Sequence, residues 1–317
     1  MPMATTNIHI DSLLTQAAAG YHNTAYQARN ILSIFPTTKE SGKVAKYGME
    51  HYRLDFGPRS MGANAHRVDW QAATPVSFSA QEWTVEKSVD DREKALYDDP
   101  FNALVDASQV CADKIWLKME KIVATLLSTA GNYGATTTGG EWSVAGTPVT
   151  NINTAINAIV NRTGVPPSSL YGVCSYKVFR DMARNSEVKN LFLNTVPNAG
   201  AIGNLTTTDV AKACGLQDIF CITAVENTAA EGATDSMSNV FGTTKFGVFA
   251  KFNGPPSLMA PSFALMMSPQ VPGLPGANIA VDQYRDETRR SDIVRATALF
   301  DAIVVNKNLG QIIDTIS

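Results

Sequence analysis

Asp99-Pro100 opens the stretch DPFNALVDASQVCADKIWLKMEKIVATLLSTAGN, residues 99–132, and its reading decides the fold. Phe101, Leu104, Val105, Cys111, Ile115, Met119, Ile122, Val123 and Leu126 recur at three- and four-residue steps, which places one continuous apolar stripe along a helix. Asp99 suits an N-cap and Pro100 the first helical position, where a missing N–H costs nothing. Gly131 and Asn132 supply the stop. A helix from about residue 100 to 129 would be roughly 45 Å long at 1.5 Å per residue. That is a spine, around which an elongated subunit can be organised.

Upstream of the spine, residues 44–89 change to extended patterning, with Tyr52 and Leu54 on one run and Val76, Phe78, Trp83 and Val85 on the other. Gly57-Pro58-Arg59-Ser60-Met61-Gly62-Ala63-Asn64 lies between them, so the segment reads as a long hairpin with an irregular tip. Two strands are rarely stable alone in water, so such a hairpin needs a surface to lie on. Residues 1–42 carry one short amphipathic stretch and read as an arm without a core. Downstream, residues 135–140 read as a flexible linker, followed by mixed helices and strands. These include a helix capped by Thr207 or Thr208, and late strands near residues 279–285 and 293–305.

Composition favours contact over chemistry. Charged residues are 17% of the 317, below the roughly 25% usual for soluble domains. Small neutral polar groups in their place lose less hydration when a neighbour covers them. The net charge of −3 excludes a strongly basic nucleic-acid binder. No apolar run approaches a membrane span and no secretory leader is visible, so a cytoplasmic site of synthesis is expected. Phosphate-loop, nucleophile-elbow and zinc-protease motifs are all missing. His9, His22, His51 and His66 fall in the arm and hairpin, where a catalytic base would lack support. Cys111, Cys174, Cys214 and Cys221 match neither a disulfide framework nor a metal pair and read as buried thiols. No catalytic, cofactor or metal residues are therefore expected.

Two charge patterns stand out. The acidic run Glu82, Glu86, Asp90, Asp91 and Glu93, with Arg92 inside it, reads as one half of an ion-pair system. Arg285, Asp286, Arg289 and Arg290 at a charged turn read as the other half, meeting acids of an adjacent copy. Glu82, Glu86, Asp90, Asp91, Arg92, Arg285, Asp286, Arg289 and Arg290 are thus candidate subunit-interface residues. Lys114, Lys118 and Lys121 share one face of the spine and are candidates for an interior basic face.

The order of these parts resembles the major capsid proteins of tailed bacteriophages, the Hong Kong 97-type fold shared with encapsulins. The resemblance rests on 89–93, Asp98-Asp99-Pro100, the spine ending in 119–127, Trp142, Thr163-Gly164-Val165-Pro166-Pro167, the 209–216 helix with the strand after it, and 284–287. It implies an α+β, Hong Kong 97-like capsid fold: an N-terminal arm (1–42), an extended loop (43–88), a peripheral domain with the spine helix (89–134), an axial domain (135–271), and late peripheral strands returning toward the axial domain (272–317). It also implies a virion capsid component assembled in the host cytoplasm. Its partners would be copies of itself in pentamers and hexamers, separate scaffolding and portal proteins, decoration proteins, and packaged DNA touched non-specifically, with no membrane. An encapsulin-type compartment is the alternative.

Overall fold

The computed structural model describes residues 11–21, 23, 25–47, 54, 56–67, 72–96, 102–143, 146–195, 205–252, 262–270 and 278–317. In chain order the helices are α1 (Ser12–Gly20), α2 (Ala28–Ile31), α3 (Asp91–Leu96), α4 (Ala103–Ser128), α5 (Pro148–Thr163), α6 (Tyr176–Arg184), α7 (Ser186–Thr195) and α8 (Thr207–Ala213). The first strands are β1 (Ser33–Thr37), β2 (Ser41–Tyr47), β3 (Ala72–Ser79), β4 (Gln81–Asp90), β5 (Ala135–Gly140), β6 (Leu170–Ser175) and β7 (Asp218–Ile222). They are followed by β8 (Val225–Asn227), β9 (Met237–Asn239), β10 (Phe246–Ala250), β11 (Ala264–Pro269), β12 (Ala280–Asp286), β13 (Ser291–Val304) and β14 (Gly310–Ile316).

The spine is α4, with Ala107, Cys111, Ile115, Met119, Val123 and Leu127 buried along one side as the periodicity requires. It is capped by Asn102, whose side chain accepts the Leu104 N–H, so the described helix starts later than the Asp99-Pro100 signal suggests. Residues 99 and 100 lie outside the described residues. At its other end the last carbonyls, which have no partner within a helix, are all met from outside. Thr129 Oγ1 donates to the Thr125 carbonyl, Asn132 Nδ2 to Leu126, the buried Tyr133 hydroxyl to Leu127 and Lys245 Nζ to Ser128. The lysine there also suits the negative end of the helix dipole.

Two five-stranded sheets flank the spine. One runs β1-β11-β13-β12, with β4 paired along the remaining side of β13. The other runs β5-β14-β10-β6-β7 and carries α5, α6 and α8 against it. One continuous apolar cluster joins both sheets to α4, including the fully buried Trp142, Phe246, Phe249 and Phe263.

Several expectations need correction. Residues 135–140 are not a flexible linker: they form β5, paired parallel to β14 from Gln311↔Ala135 onward. The α8 cap is Thr206, one residue before the expected threonines, in a reciprocal capping box with Asp209. The leading segment is not coreless over its described part, because Leu14, Ala18, Ile31 and Leu32 are buried and β1 pairs in parallel with β11. The hairpin is real as β2–β3, whose register runs from Ser41↔Ser79 to Tyr47↔Ala72. Trp83 and Val85, however, belong to β4, a strand of the body paired with β13. A small apolar cluster of Phe78, Leu265, Met267, Ile303 and Val305 seats the hairpin root on the first sheet.

Candidate subunit-contact surface

The candidate interface residues gather on the three-stranded ribbon β4-β13-β12 and at its end, in α3 and the turn between β12 and β13. Antiparallel pairing puts Glu86 opposite Arg295, and Arg295 opposite Asp282, so the three side chains share one face. The Arg295 guanidinium donates through Nε and Nη2 to the two Asp282 carboxylate oxygens at 3.0 and 2.5 Å, and Nη1 lies 3.7 Å from Glu86. Tyr284 lays its ring 5.5 Å from that guanidinium and donates its hydroxyl to Glu86 at 3.3 Å. Arg295 therefore holds the middle of the ribbon, a role the sequence reading missed.

At the ribbon's end a second cluster forms. Arg285 forks onto Asp91, Nη1 to Oδ1 at 2.6 Å and Nη2 to Oδ2 at 2.7 Å, and also reaches Asp292 at 3.4 Å. Lys94 pairs with Asp292. The Arg285 hydrogen bonds hold the Asp91 carboxyl below the usual carboxylate range, and the Lys94 contact does the same first for Asp292. The acidic run and Arg285 thus meet within one chain, whereas the expectation was a meeting between copies. Asp286 instead closes its own turn by accepting the Thr288 and Arg289 N–H groups. Arg92, Arg289 and Arg290 stay exposed, as do Glu82 and Asp90. Arg290 adopts a positive φ of 49° where the chain reverses into β13, a conformation uncommon for residues with a side chain. The exposed end of the ribbon is therefore a set of guanidinium groups on a tightly tied turn.

Lys114, Lys118 and Lys121 are exposed on α4, but they do not make a free basic face. Lys118 sits 4.6 Å over the Trp83 ring, and Lys121 pairs with Glu226 of β8 at 2.5 Å. Lys114 borders a depression it shares with Asp106 and Asp113. The described part of the hairpin loop is bare: Leu54 and Phe56 are mostly exposed and Met61 fully so.

Cys111, Cys174 and Cys214 are buried, whereas Cys221 is half-buried beside Cys174, its register partner on the neighbouring strand. Of the histidines, His66 is exposed, and residues 9, 22 and 51 lie outside the described residues. Among the described residues no three His, Cys, Asp or Glu side chains gather as a metal site, and no helix is long and apolar enough to cross a membrane. Glu120 was not singled out by the sequence reading. It lies in the interior of α4, and the signal available was a carboxylate adjacent to Met119 on the apolar stripe.

No protein-family model matches the chain. The chain is 27% identical over 182 residues to the major capsid protein of Burkholderia phage BcepMu, a match covering 54% of this chain and 57% of that protein, so it spans little more than half of the relative's length. In structure it is similar to a phage-related protein from Bordetella bronchiseptica (TM-score 0.69, 19% identity, 96% of this chain and 97% of that one). It is similar also to the capsid of cyanophage P-SCSP1u (TM-score 0.61, 11% identity, 90% and 86%) and to the virus-like particle of Pyrococcus furiosus (TM-score 0.59, 11% identity, 96% and 97%). The long spine, the two flanking sheets and the hairpin that leaves the body ahead of the spine, taken with these likenesses, give the chain the mixed α/β Hong Kong 97-like capsid fold.

Proposed function

We propose that this chain is a structural protein, the repeating subunit of the closed icosahedral head of a tailed phage. The observation that carries the reading is the bare hairpin loop. Leu54, Phe56 and Met61 stand in solvent on a segment whose root, through Phe78 and Val76, is fastened to the body. Three large apolar groups left exposed within eight residues of one loop suit a surface that another chain covers, and the likeness in sequence to a phage major capsid protein supports a second copy as that chain.

In this reading the hairpin of 43–88, beyond its root at Val76 and Phe78 and without β4, reaches over a neighbour, 89–134 and 272–317 form the peripheral part with β4, 135–271 gather around five- and six-fold axes, and 1–42 form the arm. Arg92 and Arg290, with Arg289 held only at 3.8 Å by Asp286, are the exposed groups near the ribbon's end that serve contacts between copies. Such exposed pairs contribute only about 0–1 kcal/mol each and choose register more than they hold a shell. Closed symmetry multiplies weak contacts into collective stability. Scaffolding, portal and decoration proteins, and non-specific contact with packaged DNA, belong to the same proposal. The spine lysines contribute less to a DNA-facing surface than their spacing suggests, given their partners Trp83 and Glu226.

The test is particle formation by the expressed chain, read by size-exclusion chromatography and negative-stain microscopy. Large hollow particles support the reading, and a single compact species at every concentration overturns it. Likeness to an encapsulin of Synechococcus elongatus (TM-score 0.55) keeps a cargo compartment as the second reading. Nuclease-protected DNA in particles made in an infected host favours the head, whereas one co-purifying enzyme favours the compartment.

A further inference from the structure

Glu120 is the only buried Asp or Glu among the described residues. It sits in the interior of α4, and what covers it is the leading segment. Its Oε2 accepts the backbone N–H groups of Gln27 at 2.9 Å and Ala28 at 2.7 Å, while its Oε1 is buried with no partner among the described residues. A cavity of about 320 Å³ beside it is lined by Tyr21, Tyr26, Arg29 and Trp116, among others. The other described residues between 11 and 32 are attached along the body by contacts of a different kind. The Asp11 N–H donates to the Val281 carbonyl at 3.0 Å, the Tyr21 hydroxyl donates to Asp113 at 3.1 Å, and Arg29 lies 4.9 Å over the Trp116 ring.

We propose that residues 11–32 are a proton-gated strap, whose docking onto the spine helix takes up one proton at Glu120, so that acid fastens the strap and alkali loosens it. This concerns the subunit itself and holds whether or not the chain builds a shell. An ionised carboxylate that is withdrawn from bulk water and has no counter-charge among the described residues is costly, and two N–H donors offset that only in part. Burial pushes the Glu120 carboxyl up to about 7 from its ordinary 4.5, with the Ala28 and Gln27 N–H groups pulling the other way.

Among the described residues the other charged groups around it do not supply the switch. From the segment before α2, Tyr21 and Tyr26 are both pushed above the ordinary phenol range, by burial first and by Asp113 second, and stay protonated. From α2, Arg29 turns to Trp116 and to the Asn278 side chain, and stays charged. Lys251, beyond β10, donates to the Asn30 carbonyl of α2. Asp113, on α4 itself, bonds Tyr21.

The sign follows from linkage. With the strap lifted, Glu120 meets water and returns to its ordinary value; with the strap docked, it holds its proton up to about pH 7. Between those values docking binds one more proton than release does, so the docking equilibrium strengthens about tenfold per pH unit of acidification. Over the window from 7 down to 4.5 this amounts to about two orders of magnitude.

The experiment is hydrogen exchange of the full-length chain between pH 4.5 and 8, with intrinsic exchange rates divided out. Protection of the Gln27 and Ala28 amides is expected to rise as pH falls from about 7, and Glu120→Gln, which keeps the shape and an acceptor oxygen, is expected to abolish the slope. Flat protection in the native chain, protection that falls with acid, or an undiminished slope in Glu120→Gln would each overturn the proposal. If Glu120→Gln does not fold, His22→Gln decides. A slope surviving that substitution supports Glu120 as the titrating group, and its loss assigns the proton to the histidine and removes the proposal.

Discussion

Gly310 opens β14 at the point where two aromatic rings close over the backbone. A Cβ built there would lie 2.5 Å from Phe263 and 2.8 Å from Tyr133, and those two rings are stacked with centroids 4.9 Å apart. Neither ring has a free end to swing, so Gly310→Ala must push the stack or the strand, at a cost of about 1–3 kcal/mol. Tyr133→Phe tests the same spot by another route. It leaves the Leu127 carbonyl, otherwise met by the Tyr133 hydroxyl at 2.7 Å, without that donor at the end of the spine. The loss is expected to be about 1–3 kcal/mol, from a buried acceptor left unsatisfied. Urea unfolding of the unassembled subunit checks both substitutions, with midpoints lowered and slopes unchanged.

At the scale of elements, the ribbon end and the strap respond to pH with opposite signs. Asp91 and Asp292 are held below their ordinary value of 3.8 by Arg285 and Lys94, so their pairs contribute fully above that value and are lost as acid protonates them. Glu120 lies on the other side: its cost is present at neutral pH and disappears with acid. Arg285→Ala is expected to loosen the turn after β12 in hydrogen exchange at pH 7, to change global stability little because Arg285 and Asp91 are both exposed, and to lose its effect as acid protonates the depressed Asp91 carboxyl. A large fall in melting temperature at pH 7 would contradict this account.

Legibility in the sequence divides along the same line. The spine was readable because its signal is local: a three- and four-residue period over 26 residues needs no knowledge of partners. Its start was misplaced because Asp99-Pro100 is a stronger generic opening than Asn102. β1 was hidden by Pro36, which an edge strand tolerates, and by a parallel partner more than 200 residues away. β5 is Ala-Thr-Thr-Thr-Gly-Gly, small and polar, and it becomes a strand only because β14 lies beside it. The ribbon charges were all visible in composition, yet which acid meets which base was not, since Asp91 and Arg285 are 194 residues apart.

For the whole molecule the question is what a bare hairpin does for a chain that is otherwise well packed. Its root is held by Phe78 in the small cluster with Leu265 and Ile303, and its loop from Gly57 to Arg67 is exposed wherever it is described. Removing residues 57–73 therefore takes away almost no described buried surface. The first strand residues of β3 go with it, and the Val76 and Phe78 contacts stay. The shortened chain is expected to unfold with a free energy within about 1 kcal/mol of the intact subunit, since exposed residues away from special features contribute little. Its assembly should fail, because Met61 and the exposed loop around it would no longer be there for a neighbour to cover. Stability and particle formation are separable readouts, by urea titration and by sedimentation with electron microscopy. If the deletion assembles into normal particles, the loop is not a clasp between copies. If it instead unfolds the subunit, the hairpin belongs to the core of its own chain, and the exposed loop is not a clasp.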